Sequence, residues 1–318
     1  MITTVPHEFS AADLIFNPEK FQEFFPPAKI AVFGDPVGHS RSPEIHNPAL
    51  LESGIKAQYV RIHVRAEELS DSLRALAAAK WIGTNLTIPH KAAAIKLIDH
   101  VDHFAVLAGA INTVIVRKDG SLSGHNTDGL GLVRAVREEF HADIRDLKIL
   151  ILGACGGVGR SIAVQCALEG CERLVLANRS FEKIGPLKRQ LEPLFQRGRH
   201  PFGSMGRLVA TKMDSHALFD ELPKTDLLIN ATSVGMVKSL DLRLVPRFLF
   251  TPHLMVLDSV YTNGGKTQLL LDAEAKGARA TNGLSMLLHQ GALSFEIWFN
   301  QPAPLEVMRR GLFSPAAV

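Results

Sequence analysis

The run Lys148-Ile-Leu-Ile-Leu152 is apolar after its first residue and leads directly into Gly153-Ala-Cys-Gly-Gly-Val-Gly159. A strand without polar alternation has to be covered on both faces, which points to a parallel sheet with helices on each side. Glycines then permit a sharp turn, and a helical pattern runs from Val158 to about Glu169. Strand, small-residue turn and helix in this order open a Rossmann unit, in which backbone N–H groups approach a pyrophosphate at the positive end of the helix. Cys155 occupies the second glycine position of the usual GxGxxG, so the assignment rests on the strand and helix around the turn. A tight glycine turn without a ligand is the weaker reading. Further strands are expected at Arg173–Asn178, Asp226–Asn230 and Met255–Tyr261, giving a doubly wound sheet, with a Gly- and Arg-rich stretch at 197–207 between elements.

The segment Ala177-Asn-Arg-Ser180 stands where NAD-selective Rossmann domains carry an acidic residue for the ribose 2′-hydroxyl. No carboxylate is there. Arg179 and Lys183 offer positive charge suited to a 2′-phosphate, so the expected cofactor is NADP; an exposed basic helix start explains Lys183 nearly as well.

A chain of 318 residues suits two domains. Ahead of the Rossmann unit, Lys29–Gly34, Tyr59–Val64 and Thr84–Ile88 read as strands, 66–79 as an Ala- and Leu-rich helix, and the segment after Pro89 as another helix. Asn112–Arg117 reads as a strand entering a hairpin at Lys118-Asp-Gly120. The expected class is therefore α/β: an N-terminal α/β substrate domain with a mostly parallel sheet, residues 1–128, and a Rossmann domain, residues 129–283. The helices from Leu284 to Asn300 and from about Leu305 to Arg310 are expected to return to the first domain, as residues 284–318.

With 46% hydrophobic and 21% charged residues the chain is globular in composition. A net charge of +3 without a basic stripe argues against nucleic acid, and no apolar run is long enough for a membrane span. Three cysteines without paired spacing indicate neither a disulfide framework nor a zinc site, and the N-terminus lacks a signal-peptide pattern. The expected setting is cytoplasmic, with small-molecule partners, no metal, and a monomer or homodimer. The sequons Asn85-Leu-Thr87 and Asn230-Ala-Thr232 are then unmodified, leaving their polar groups available.

Three polar segments punctuate the first domain. Gly34-Asp-Pro-Val-Gly-His-Ser-Arg-Ser-Pro43 places hydroxyls at Ser40 and Ser42, suited to a polyhydroxylated ligand; helix capping by Ser42 is an equally good local explanation. Gly83-Thr-Asn-Leu-Thr-Ile-Pro-His-Lys91 sets Asn85 and Thr87 on one strand face and Lys91 just inside a helix, where the dipole disfavours a cation. Gly124-His-Asn-Thr-Asp-Gly129 brings Asp128 to a loop entering a helix, where an N-cap is the plain reading.

Together these segments resemble the shikimate dehydrogenase family, in the right order from Val32 to about Phe299. The resemblance extends through Ala108-Gly-Ala-Ile-Asn-Thr113, Asn126-Thr-Asp-Gly129, Asn230-Ala-Thr-Ser-Val-Gly-Met236 and Gly283-Leu-Ser-Met-Leu-Leu-His-Gln290. It implies that Ser40 and Ser42 take the substrate carboxylate and that Asn85, Thr87, Lys91, Asn112, Asp128, Tyr261 and Gln290 bind the substrate ring, with Lys91 and Asp128 the catalytic pair. On the cofactor side it implies Gly153, Ala154, Gly156, Gly157, Val158 and Gly159 in the turn, then Asn178, Arg179, Ser180 and Lys183, and beyond them Thr232, Ser233, Ser259, Gly283 and Met286. Three departures stand out. The glycine turn and the stretch Tyr261 to Thr267 are each one residue longer than the family's usual form, and Asn282 and Ser285 replace the commoner Asp and Gly.

The implied reaction is the NADPH-dependent reduction of 3-dehydroshikimate to shikimate on the route to chorismate and the aromatic amino acids. Lys91 would supply the proton and Asp128 would orient it. A quinate/shikimate dehydrogenase is the nearest alternative, with Ser42 and the missing ribose carboxylate against it. A non-catalytic binding protein of the same family is a second alternative, opposed by the presence of both Lys91 and Asp128.

Overall fold

The computed structural model describes residues 8–196, 206–236, 243–262 and 265–313. The chain divides into two compact units, Met1–Thr127 with Leu287–Val318, and Asp128–Met286. Most of the loop expected at 197–207 lies outside the described residues, as does part of the stretch between Tyr261 and Thr267.

Seven strands form the sheet of the first unit: β1 (Phe9–Ser10), β2 (Ala28–Gly34), β3 (Gln58–His63), β4 (Gly83–Leu86), β5 (His100–Val101), β6 (Thr113–Val116) and β7 (Leu122–His125). Their order is β1-β3-β2-β4-β6-β7-β5. The first four run parallel, and β6 enters antiparallel to β4 and pairs with β7 through a hairpin closed by the Arg117 N–H on the Ser121 carbonyl at 2.8 Å. This mixed register decides where the polar segments go. The carboxyl ends of β2, β4 and β7 and the amino end of the antiparallel β6 all fall on one edge of the sheet. Loops leaving those ends are therefore neighbours although 90 residues of chain separate the first from the last.

One core of this unit contains Phe33, Ile62, Leu73, Leu86, Ile111 and Val114, all essentially buried. The N-terminal segment completes it: Phe9, Leu14 and Phe21 are buried there, with the Phe21 ring edge-on to Trp81 at 5.1 Å. Ser10 and Asp13 form a capping box at the helix Ala11–Phe16. The helix expected over 66–79 begins as a 3-10 turn, Ala66–Glu68, and becomes α-helical at Leu69–Ala78.

Six parallel strands build the second unit: β8 (Lys148–Leu152), β9 (Arg173–Asn178), β10 (Leu208–Lys212), β11 (Leu227–Asn230), β12 (Met255–Asp258) and β13 (Arg279–Thr281), in the order β10-β9-β8-β11-β12-β13. The sheet grows outward in both directions from β8, so the chain reverses its winding between β8 and β11. That switch point opens a crevice at the carboxyl ends of the strands. The strand expected over Met255–Tyr261 stops at Asp258, because the Asp258 carboxylate accepts the Val260 N–H at 3.0 Å and turns the chain.

His46, on the helix Ser42–Glu52, is fully buried with its ring stacked on Tyr59 at 4.5 Å and 8°, and neither ring nitrogen has a hydrogen-bond partner. Burial drives its pKa from 6.5 down to about 3. Between those values the unfolded chain binds a proton at this position that the folded chain refuses, so stability is lost as the pH falls, by up to about 1.4 kcal/mol per unit. His46→Phe keeps a stacked ring and has nothing to titrate; thermal unfolding followed from pH 6.5 to 4 should show a shallower loss of Tm than the parent chain.

Candidate active site

The loops at the site edge of the first sheet are tied together by backbone bonds. The Asp35 N–H donates to the Ile88 carbonyl and the Thr87 N–H to the Phe33 carbonyl, both at 2.9 Å, which sets the loop after β2 against the loop after β4. A side chain at Gly34 would bring its Cβ within 2.4 Å of Thr87 Cγ2, so only glycine permits this approach. The Lys91 carbonyl accepts the Ile111 N–H at 2.8 Å, and the Asn112 N–H donates to His125 at 3.0 Å. Ser40, Thr87, Lys91, Asn112 and Thr127 thus belong to one edge.

Ser42 does not cap its helix. It is the first helical residue, the N-cap position is Arg41 with no side-chain bond, and the Ser40 hydroxyl donates to Ser42 Oγ at 3.2 Å. Both hydroxyls are buried at the start of an 11-residue helix, where the Ser42 N–H donates to Ser40 Oγ at 3.4 Å and Pro43 has no N–H, so the first free N–H of the turn is that of Glu44. That combination suits an anion such as a carboxylate. Lys91 is the second residue of the short helix His90–Ala93 and is half-buried.

Behind this surface lies a lattice of buried hydrogen bonds. Asn85 Nδ2 donates to the Asn112 carbonyl at 2.9 Å and, at 3.1 Å, to both Thr113 Oγ1 and Ser294 Oγ, while its Oδ1 accepts the Tyr59 hydroxyl at 2.8 Å. Asn112 Nδ2 donates to Thr127 Oγ1 at 2.8 Å and Gln290 Oε1 at 3.1 Å, and its Oδ1 accepts the Thr127 N–H at 2.9 Å and the Thr113 hydroxyl at 3.0 Å. Gln290, Ser294 and Trp298 follow one another at four-residue spacing on one face of the helix Leu284–Phe299, and the Trp298 indole donates to the Val114 carbonyl at 2.9 Å. The segment leading to Asp128 is held from its other side by Asp102, whose carboxylate pairs with His125 Nδ1 at 2.9 Å. Burial works to raise the Asp102 carboxyl, but bonds from His125 and the backbone N–H groups of Ala105 and Asn126 prevail and hold it below the usual range. Asp128 itself is buried and is the first residue of the helix Asp128–Phe140.

In the second unit the glycine turn follows β8. Gly153 has φ +79°, and the N–H groups of Gly153 and Ala154 both donate to the Ala177 carbonyl, at 2.9 and 3.1 Å. The helix Gly157–Glu169 starts from Gly156 with no side-chain cap, so its first N–H groups, at Gly157, Val158 and Gly159, are open to an anion. Asn178, at the end of β9, accepts the Cys155 N–H at 3.4 Å and donates to the Ser180 carbonyl at 3.0 Å; Arg179 and Lys183 beyond it are exposed. A bare turn, an uncapped helix and cations without a carboxylate at the strand end fit an adenine dinucleotide with a 2′-phosphate.

The loops after β11 and β12 lie at the same edge. Asn230 Oδ1 accepts the N–H and the hydroxyl of Thr232 at 3.0 and 2.7 Å, and its Nδ2 donates to Asp258 at 2.8 Å. The Thr267 hydroxyl donates to the other Asp258 oxygen at 2.5 Å. Burial pushes the Asp258 carboxyl above the usual range against these bonds, which favour the ionised form. Asp258 was not among the residues singled out from the sequence, although a carboxylate closing the apolar run Met-Val-Leu-Asp258 is a readable signal. Ser233 is exposed, while Ser259 and Tyr261 are half-buried. Gly283 passes so close to the Ser259 carbonyl that a Cβ would stand 2.2 Å from its oxygen, and Met286 is buried. Tyr59, Thr113, Thr127, Ser294 and Trp298 were likewise not singled out from the sequence.

Two family patterns match: the shikimate dehydrogenase substrate binding domain over residues 32–114, and the shikimate 5′-dehydrogenase C-terminal domain over residues 283–312. A protein of Methanopyrus kandleri named shikimate dehydrogenase (NADP(+)) is 39% identical over 284 residues, 89% of this chain and 94% of that one. The chain belongs to the shikimate dehydrogenase family. A relative of the same name from Moorella thermoacetica is 38% identical over 89% of this chain and 92% of its own. Among solved structures, the shikimate 5-dehydrogenase of Thermus thermophilus in complex with NADP(H) and shikimate superposes with a TM-score of 0.76 at 30% identity, covering 90% of this chain and 98% of that one. The shikimate dehydrogenase of Aquifex aeolicus gives 0.77, also at 30% identity, over 90% and 97%.

Two glycines of the turn Gly153–Gly159, Gly156 and Gly159, differ in what they tolerate. A Cβ at Gly159 would lie 2.2 Å from the Gly153 carbonyl oxygen and 2.9 Å from the Ala154 Cα, both backbone, whereas at Gly156 nothing comes nearer than 3.5 Å. Gly159→Ala should therefore destabilise the chain by about 1–3 kcal/mol, the range for overpacking a tight contact, while Gly156→Ala, which meets no close atom and only weakens the N-cap, should lower the denaturant midpoint less, by under about 1 kcal/mol.

Proposed function

We propose that this chain catalyses the reversible reduction of the ketone of 3-dehydroshikimate to the alcohol of shikimate with NADPH, in the synthesis of chorismate and the aromatic amino acids. The observation that carries the reading is similarity along almost the whole chain, 39% over 89% of its length, to an enzyme named for that substrate and cofactor. When bound, NADPH supplies the hydride.

The chain's own residues do the rest. Ser40 and Ser42, at the positive end of their helix, hold the substrate carboxylate. Thr87, Tyr261 and Gln290 meet the ring and its hydroxyls, and Asn112, whose side chain is fully engaged with Thr113, Thr127 and Gln290, reaches the ring by exchanging its bond to Gln290 for one to the substrate. Asn85 has its amide nitrogen shared among three acceptors and its oxygen already accepting the Tyr59 hydroxyl, so its service to the substrate is through the second lone pair of that oxygen and through holding its neighbours in place. Lys91 donates the proton that the reduced oxygen requires, and Asp128 is the carboxylate that partners it. The glycine turn from Gly153 to Gly159 receives the pyrophosphate, Asn178, Arg179, Ser180 and Lys183 the adenosine 2′-phosphate, and Thr232, Ser233, Ser259, Gly283 and Met286 the nicotinamide half.

No helix among the described residues is long and apolar enough to cross a membrane, and no described group of His, Cys, Asp or Glu could hold a metal ion. Cys155, Cys166 and Cys171 stand free, and burial pushes the Cys171 thiol up to about 12. Unpaired and largely protonated thiols fit a reducing compartment, and we assign the reaction to the cytoplasm, carried out by a monomer or homodimer on small molecules alone.

The deciding assay offers shikimate and quinate with each nicotinamide cofactor and follows absorbance of the reduced form. Shikimate with NADP should give the highest kcat/KM; a higher value for quinate would move the chain to the quinate enzymes. Lys91→Ala should lower kcat by roughly 10²–10⁴-fold, the usual scale for a positioned acid, with KM changed much less. Near-normal turnover in a folded variant would remove Lys91 from the mechanism. Arg179→Ala should raise the KM for NADPH about ten-fold to a hundred-fold, as expected for one charge-assisted phosphate contact, and leave NADH use nearly unchanged. Equal weakening of both cofactors would place Arg179 in the fold and away from the phosphate.

A further inference from the structure

Strand β3 contributes nothing to the residues assigned above, yet it is bonded directly to two of them, Asn85 through the Tyr59 hydroxyl and Ser40 through Arg61. Arg61 donates from Nε to the Ser40 carbonyl at 2.7 Å and from Nη2 to both oxygens of Glu44 at 2.8 Å. Its side chain is 12% exposed and that of Glu44 32%. Glu44 is the third residue of the helix Ser42–Glu52. One guanidinium thus holds the last residues of the loop and the first turn of the helix to the strand. The same two residues have further neighbours: the Ser40 N–H donates to the Val37 carbonyl at 2.9 Å, and the helix Leu305–Phe313 packs so closely on Glu44 that a Cβ at Gly311 would stand 2.2 Å from its carbonyl oxygen.

Arg61 reaches Ser40 through its main-chain carbonyl, whereas the Ser40 hydroxyl is committed to Ser42 Oγ at 3.2 Å. Its charge is matched by Glu44 at bonding distance, so it is not an unpaired cation offered to an incoming anion. What it supplies is placement. A planar guanidinium satisfying a carbonyl and a carboxylate together defines the distance between them in a way that a flexible ammonium does not.

We propose that Arg61, braced by Glu44, is a positioning residue for substrate specificity: it fixes Ser40 and Ser42 at the spacing that receives the substrate carboxylate, without touching the substrate. The proposal rests on the reading of those two serines as the carboxylate site. It differs from a general contribution to folding in acting on one functional group of one substrate.

The experiment compares wild-type enzyme with Arg61→Met, Arg61→Lys and Ser42→Ala, using shikimate and its methyl ester, with NADP as cofactor. Arg61→Met should raise the KM for shikimate about ten-fold or more, the scale of a lost charge-assisted hydrogen bond, with kcat and the KM for NADP within about two-fold of wild type. With the methyl ester the penalty should shrink to about two-fold or less, because the ester offers no anion to the serine pair. Arg61→Lys, which keeps the charge and loses the fork, should recover only a small part of the shikimate KM. Should Ser42→Ala raise the shikimate KM while Arg61→Met matches wild type, or should Arg61→Met penalise acid and ester alike, the positioning role is overturned and the serine reading stands. An unchanged shikimate KM in a folded Ser42→Ala enzyme overturns the serine reading and the positioning role with it.

Discussion

The structure of the first unit depends on the stripe that Gln290, Ser294 and Trp298 present from a single helix face. Each bonds a different layer of the sheet edge: Gln290 the Asn112 amide, Ser294 the hydroxyl of Thr113 and the amide of Asn85, and Trp298 the carbonyl of Val114. These partners are buried, so a group left without its mate would carry a penalty of about 1–3 kcal/mol. Such a lattice is stable only when complete, which makes it rigid. Gly83 records the closeness involved. A Cβ there would lie 2.1 Å from the Val114 oxygen and 2.6 Å from the Trp298 indole nitrogen, so the helix can dock only against a strand that begins without a side chain.

This rigidity divides the polar residues into two groups. Asn85, Thr113 and Thr127 spend their hydrogen-bonding capacity largely on one another and on the helix, and form a floor. Ser40, Ser42, Thr87 and Lys91 sit on the loops and helix starts above it, where a ligand can use them. The second unit reaches the same end with different chemistry. There a strand-end carboxylate, Asp258, gathers Asn230, Thr267 and the Val260 N–H, and so sets two loops beside the glycine turn. Its raised pKa marks the work done against burial, which a neutral lattice of amides and hydroxyls avoids.

Legibility in the sequence followed how local the cause was. The apolar run Lys148–Leu152 and its glycines are read from adjacent residues, and β8, its turn and its helix stand where the pattern puts them. Arg173–Asn178 is a strand to the residue. The short edge strands β1, β5 and β13 have two or three residues each and no periodicity to detect; they exist because a neighbour's free edge pairs with them. Ser42 shows the limit from the other side. Local rules made it a helix cap or a ligand, and the structure shows no capping bond, with Ser42 inside the first turn bonded to Ser40.

By itself the sequence determined the α/β class, the doubly wound sheet, the absence of an acidic residue at the end of β9, and the order of polar segments that marks the family. These follow from side-chain type and spacing within a few residues, which covalent geometry turns directly into strand, turn or helix. Only the tertiary structure decided that the antiparallel β6 brings Asn112 to the same edge as Thr87, that Gln290, 178 residues further on, completes the Asn112 hydrogen bonds, and that Arg61 holds Ser40 from behind. Those contacts link residues far apart in the chain through directional bonds between buried groups, and the partner of a buried donor is settled by which segments fold against each other.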